Sequence, residues 1–402
     1  MERVDRYAEL IVRVGANVQP GQRVFINAAV EHADLVRALT RAAYKAGAEY
    51  VDVLYSDTHV RRAMIENVDD AVLTYSPPWM VERMSKAADG GALIMVAGDP
   101  DPELLADLDQ TRVGKARPIN VLDQARRGQN TRTMGWTIAA SPVAGWAEQV
   151  FGEPDVERLW EAVAATVGLD EPDPVATWRE HTARLRERAA QLNERKFDAI
   201  RYTGPGTELT VGLLPEHQWL GGGTETTYGA FHVPNMPTEE VFTTPDRRRA
   251  EGTIRSTLPL QLGGTVVRDL EFRLSGGRIV DVSASTGVDA VRAQLDTDDS
   301  APHLGELALV DGTSRVDKTG LTFFNTLFDE NATCHIAFGS AIQAATEGSL
   351  DGLDANSLQE RGLNVSSVHT DFMVGGPEVT VTGLHKDGGA ETIIEKDVWQ
   401  LS

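Results

Sequence analysis

The chain is 402 residues long, 41% hydrophobic and 24% charged, an ordinary globular composition that excludes a disordered protein. Against 38 Lys and Arg stand 60 Asp and Glu, and the net charge of -22 would repel phosphate backbones and anionic lipid head groups, which argues against nucleic acid and membrane partners. The single cysteine, Cys334, excludes an intrachain disulfide and gives no sign of an oxidising compartment.

The length exceeds that at which one hydrophobic core stops growing, so two domains are expected. The amino terminus opens on interleaved charges, and no apolar run reaches the roughly eighteen residues of a membrane span. The expectation is a cytoplasmic protein without a signal peptide.

In chain order, Tyr7 to Val18 carries apolar residues at helical spacing, and Arg23 to Ala29 reads as a short apolar strand. Ala33 to Gly47 follows as an amphipathic helix ending at its glycine, ahead of a strand over Tyr50 to Tyr55. A further unit places a strand over Ala92 to Ala97 and a helix over Pro102 to Leu108. Alternation of this kind predicts an α/β fold with an open, mostly parallel sheet. The first strand-to-helix turn, Asn27-Ala28-Ala29-Val30-Glu31-His32, has no glycine and places an acid where a phosphate would lie, so a dinucleotide site is rejected.

Val156 to Val167 and Pro174 to Lys196 are long charged helical stretches, read as a linker that closes a first domain over 1–196. Beyond it the pattern changes to short strands and glycine-rich turns, with strands over Leu209 to Leu213, Leu270 to Leu274 and Ile279 to Val282. A β-rich α+β domain is therefore expected over 197–402. Gly204-Pro205-Gly206-Thr207 lacks the Lys and Ser/Thr of a phosphate-binding loop and reads as a turn, and Asp296-Thr297-Asp298-Asp299 reads as a solvated acidic loop.

Six side chains in this second half carry metal-ligand chemistry: Glu240, Glu306, Glu330, His335, His369 and Asp371. Within Ser366 to Val374, a predicted strand, His369 and Asp371 share a face while Val368, Thr370 and Phe372 take the other. One nitrogen and one oxygen donor suit zinc, cobalt or manganese. Glu330 and His335, five residues apart, meet only across a bend, and Cys334 reads as a buried apolar thiol rather than a ligand. Glu306 opens the apolar strand His303 to Val310, and of Glu239 and Glu240 alternation lets only one face the interior. Four converging carboxylates without cations between them would repel one another, so convergence itself calls for metal. His217, Trp219, Tyr228 and His232 could line a substrate cavity, with packing as the favoured role of each.

In these segments the sequence resembles the thermophilic aminopeptidase family of dinuclear metallo-exopeptidases. The likeness runs through Tyr202 to Leu213, Trp219 to Gly223, Asn235 to Thr243, Leu304-Gly305-Glu306, Leu327 to Ala332 with His335, and Val368 to Met373. It extends to Tyr7-Ala8-Glu9-Leu10 and Gln19-Pro20-Gly21-Gln22 in the first half. The resemblance implies an aminopeptidase acting on peptides with a free N-terminus, a homodimer, and two divalent ions per chain, whether zinc, cobalt, manganese or magnesium. It puts the metal ligands on Glu240, Glu306, Glu330, His335, His369 and Asp371, with Glu306 bridging and catalytic. One position departs from the family: Ile342 stands where a tyrosine thought to assist catalysis is expected, and isoleucine cannot donate a hydrogen bond. Two other classes compete. One is a mononuclear iron oxygenase using His335, His369 and Asp371 as a facial triad. The other is a metal-binding relative with weakened catalysis.

Overall fold

A computed structural model describes residues 3–348, 350 and 352–402, so the first two residues of the charged amino terminus lie outside this range. The chain divides into two compact units, Met1–Thr182 with Gly223–Thr238, and Ala183–Gly222 with Glu239–Ser402. The division at Thr182 falls inside the helix Pro174–Arg195, and the second unit returns a short segment of chain to the first.

In the first unit, four parallel strands form one sheet: β1 (Arg23–Ala29), β2 (Tyr50–Ser56), β3 (Ala92–Ala97) and β4 (Gly135–Ala140), in the order β4-β3-β1-β2. Central β1 is apolar because both its faces are covered, and Val24 pairs with both Val51 and Ala92. The short strand Asn235–Met236, from the returning segment, extends the sheet beside β4 in parallel. The expected open parallel sheet is thus present.

Two local expectations are corrected. Pro102 to Leu108 forms turns rather than a helix, with Leu104 N–H bonding Asp101 O and Ala106 N–H bonding Glu103 O. Carbonyls that a helix would use are taken by side chains, Leu105 O and Leu108 O by Gln110 and Leu104 O by Arg62. The helix begun near Tyr7 is regular over Arg3–Leu10 and then widens to a π turn over Ile11–Gly15, which Ala16 N–H closes on Ile11 O at 2.9 Å.

The second unit holds two larger antiparallel sheets around one core. The eight-stranded sheet includes Ala199–Gly204, Thr207–Leu213, Pro245–Arg255 and Glu271–Ser275. The five-stranded sheet runs β9-β8-β7-β6-β5, with β5 (Leu220–Gly221), β6 (Val241–Thr243), β7 (Leu304–Leu309), β8 (His335–Gly339) and β9 (His369–Met373). One face of this sheet is apolar: Val241, Leu307, Leu309, Ile336, Phe338 and Phe372 all join the unit's core. Phe272 of the eight-stranded sheet meets Phe338 and Phe372 edge-on, with ring centroids 5.7 and 5.0 Å apart. Alternation along the strands sends the remaining side chains to the opposite face.

Candidate metal centre

That opposite face carries four of the six candidate residues, Glu306, His335, His369 and Asp371, and the other two, Glu240 and Glu330, come from the chain just outside the strands. In the antiparallel register Ala337 of β8 lies between Glu306 of β7 and Asp371 of β9, so the two carboxylates stand in one row with a methyl group between them. His335 and His369 lie two residues before Ala337 and Asp371 and so point the same way. Glu240, immediately before β6, has the same parity as Phe242, which pairs with Ala308 on the Glu306 face of β7. Glu330 caps the helix Thr326–Asp329, and the turn through residues 331–334 supplies the bend that brings it to His335.

Two glycines make room for this arrangement. A Cβ on Gly305 would lie 2.2 Å from Ser340 O, so only glycine lets the backbones of β7 and β8 approach where their register shifts beside Glu306. Gly339 has φ of +99° and a Cβ there would meet Val368 O at 2.2 Å, which keeps the end of β8 against the start of β9 at His369.

The donors form two groups that share one member: Glu240, Glu306 and His335 in one, Glu306, His369 and Asp371 in the other, each with ligand atoms within 4.8 Å of one another. His335 Nε2 stands 3.0 Å from Glu240 Oε2, and His369 Nε2 stands 3.1 Å from Glu306 Oε2 and 3.5 Å from Asp371 Oδ1. Both imidazoles are fixed from behind, His335 Nδ1 donating to Glu330 O at 2.7 Å and His369 Nδ1 to Ser340 O at 2.8 Å. The proton is thereby held on Nδ1, and in the neutral rings the Nε2 lone pairs face the carboxylates, the tautomer that ligates metal. Glu240 Oε2 and Asp371 Oδ1 are buried and receive no aligned hydrogen bond, although imidazole nitrogens lie near both. Acceptors crowded together fit a cation better than they fit one another.

Electrostatics say the same. Burial pushes the Glu306 carboxyl up to about 7, with the His369 hydrogen bond opposing and the charges of Asp371 and Glu240 reinforcing that rise. Burial, then the charges of Asp371 and Glu240, hold Glu330 well above the usual carboxylate range. Burial alone would lower His335, yet the close approach of Glu240 and the surrounding carboxylates raise it to about 10. Asp371 is pushed up by burial but ends below the ordinary range because the charge of His369 close beside it prevails. His369, whose side chain is 35% exposed, is the most open of the set and the edge from which solvent reaches it. A cluster that must recruit protons onto imidazoles to balance its carboxylates is one that divalent ions would satisfy.

The six residues do not take equal places. Glu330 stands in neither donor group; it is buried beside them with its Oε1 3.4 Å from Asn331 Nδ2. His335 groups with Glu240 and Glu306, apart from His369 and Asp371, so among the described residues the donors form no single facial triad. Glu239 and Glu240 are both buried, against the expectation from alternation, because the chain is not yet a strand at residues 238–240 and Glu239 turns to accept the Arg315 N–H at 3.1 Å. Cys334 is buried against Val310, and burial pushes its thiol up to about 12. Of the cavity candidates, Trp219 and His232 are buried, while Tyr228 and His232 belong to the first unit, where the Tyr228 hydroxyl accepts from Gln22 at 2.8 Å. Ile342, half-buried at the start of the turn Gln343–Ala345, offers no hydroxyl.

Several supporting residues escape sequence reasoning. Asp298, read as part of a solvated loop, accepts from Ser366 Oγ and Ser367 N–H at 2.9 Å each and so tethers the segment that leads into His369. Asn364 donates to Gly339 O at 2.5 Å. Alternation around Ala337 is the signal by which its place could have been found.

The chain matches the family model described as thermophilic metalloprotease (M29) over residues 1–399. It is 41% identical over 402 residues to aminopeptidase T of Thermus thermophilus, covering 98% of each chain. To aminopeptidase T of Thermus aquaticus it is 42% identical over 410 residues, covering 100% of this chain and 99% of the other. Aminopeptidase 2 of Geobacillus stearothermophilus is 37% identical over 406 residues, with 99% and 98% covered. The solved structure of wild-type AmpT from Thermus thermophilus superposes with a TM-score of 0.90 at 39% identity, covering 99% of each chain.

Proposed function

The chain belongs to the thermophilic metalloprotease (M29) family, and from that membership we propose that it is a two-ion aminopeptidase releasing N-terminal amino acids from peptides. The observation that carries the two-ion reading is the double membership of Glu306, which stands in both donor groups as a carboxylate shared by two cations would. Glu240 and His335 would complete one site, His369 and Asp371 the other, with Glu330 as the remaining carboxylate beside them. Mixed imidazole and carboxylate donors suit zinc, cobalt or manganese better than magnesium, which prefers an all-oxygen octahedron.

When bound, a pair of divalent ions polarises the scissile carbonyl and lowers the pKa of a water to near neutrality. The chain's own residues do the rest. The carbonyls of Glu330 and Ser340 keep both imidazole lone pairs aimed at the site. Glu306 is the carboxylate we assign to take the proton from the attacking water and pass it to the departing amine. With isoleucine at 342, no side-chain hydroxyl from that position stabilises the developing oxyanion. The catalytic machinery is assigned to residues 197–402, and the chain is taken to act as a homodimer in the cytoplasm.

The test is metal analysis of the purified protein together with hydrolysis of leucine and other aminoacyl chromogenic amides. Two ions per chain with metal-dependent release of the chromophore is the expected result. A single redox-active iron with oxygen consumption, or full metal loading without turnover of any aminoacyl amide, would overturn the proposal.

A further inference from the structure

Asn331 is fully buried directly after Glu330, and each end of its side-chain amide is engaged. Its Oδ1 accepts the backbone N–H of Glu239 at 2.7 Å, and its Nδ2 donates to Leu327 O at 2.9 Å and lies 3.4 Å from Glu330 Oε1. The partners fix the orientation of the amide, because an N–H needs the oxygen and a carbonyl needs the NH2. One side chain therefore ties the backbone immediately before Glu240 to the helix end that carries Glu330. Through the Glu330 carbonyl, which accepts from His335 Nδ1 at 2.7 Å, the tie extends to a third candidate ligand.

We propose that Asn331 is a positioning residue for the metal centre, setting the separation of Glu240, Glu330 and His335 and thereby the affinity for the ions. The inference rests on the two-ion reading above. Glu240 sits outside a regular strand, and Glu330 caps a helix of only four residues, so neither is placed by a long ladder of backbone bonds. An amide suits the task where a carboxylate does not. Aspartate at 331 would keep the acceptor for the Glu239 N–H, lose the donor to Leu327 O, and set another negative charge against Glu330.

The test uses the full-length protein with cobalt(II) as the probe, comparing wild type, Asn331→Ala, Asn331→Asp and Ser314→Ala by calorimetric titration, cobalt absorption spectrum and thermal unfolding. Ser314 is the control for a merely structural role, because its Oγ donates to the backbone carbonyl of Asn331 at 2.6 Å without touching the amide. Both Asn331 variants are expected to bind at least one cobalt ion about 10- to 100-fold more weakly and to show an altered ligand-field spectrum. Ser314→Ala is expected to unfold at lower temperature with cobalt affinity and spectrum unchanged. If Asn331→Ala fails to fold, Asn331→Asp decides the matter. Wild-type cobalt affinity in the Asn331 variants, or an equal loss in Ser314→Ala, overturns the inference. Uptake of only one ion by the wild type would instead sink the two-ion reading, and the affinity for that one ion would still judge Asn331.

Discussion

Replacing Ala337 by valine tests the face-by-face construction of the centre. Ala337 lies opposite both Glu306 and Asp371, and Cβ atoms of directly paired residues in antiparallel strands are about 4.5–5.5 Å apart. Valine adds two γ carbons, each about 1.5 Å beyond Cβ, into the row where cations about 3.5–4 Å apart would be held. Carbon atoms need about 3.5–4.0 Å to their neighbours, so a methyl group and an ion cannot share that space. Overpacking of this size costs about 1–3 kcal/mol, leaving a folded protein, while displacement of a donor should weaken cobalt or zinc binding about 10- to 100-fold. Ile336→Val, one residue away but in the apolar core, provides the matched comparison at about 0.5–1.5 kcal/mol. Calorimetric titration of both variants with cobalt, beside their unfolding temperatures, makes the measurement. Unchanged binding of two ions by Ala337→Val, or an equal loss in Ile336→Val, would refute the assignment of the centre to the Ala337 face.

Glu306→Gln should abolish hydrolysis of aminoacyl amides and weaken loading of both ions while the first unit stays folded; a single-site loss seen by calorimetry would show that Glu306 is not shared. In chelated protein the stability held by Glu239 and Asp329 should fade as pH rises from about 5 to 8, while His217, His232 and His303, which burial holds below the ordinary imidazole range, act in the opposite sense below about 6.5. Glu239 and Asp329, which burial raises to about 7, bind protons more tightly when folded, so their contribution is full below the unfolded values near 4 and fades through 7. Glu239→Gln with Asp329→Asn should therefore weaken the loss of stability towards pH 8, and zinc or cobalt added at pH 8 to the unmodified chain should raise its unfolding temperature through mass action; an unchanged pH slope in the double variant would contradict this sign. Ile342→Tyr should raise kcat about tenfold or more, because a single oxyanion donor carries that weight elsewhere. Steady-state kinetics on leucine chromogenic amides would show the gain in kcat rather than in KM, and no gain would mean that a hydroxyl at 342 does not reach the reacting carbonyl.

Much of the centre is legible in the sequence because strand alternation is a local rule. His369 and Asp371 on one face, with Val368 and Phe372 turned into the core, follow from spacing alone. The strands Arg23–Ala29 and Ala92–Ala97 are equally plain, since a central parallel strand is mostly apolar. What sequence hides is set by contacts distant along the chain. The Asn331 amide meets Glu239 across 92 residues, and Asp298 meets Ser367 across 69, with no periodicity to announce either. Pro102 to Leu108 misleads for the same reason, because Arg62, 42 residues earlier, takes a carbonyl that a helix would have kept. Glu239 shows the limit of alternation itself, which holds only once the chain has entered the strand.

The donors are dealt out across β7, β8, β9 and the approaches to β6 and β8, so no contiguous stretch of chain carries enough of them to capture an ion pair firmly. On the proposed reading, a chain that ends before β9 lacks His369 and Asp371 together, and with them one whole donor group.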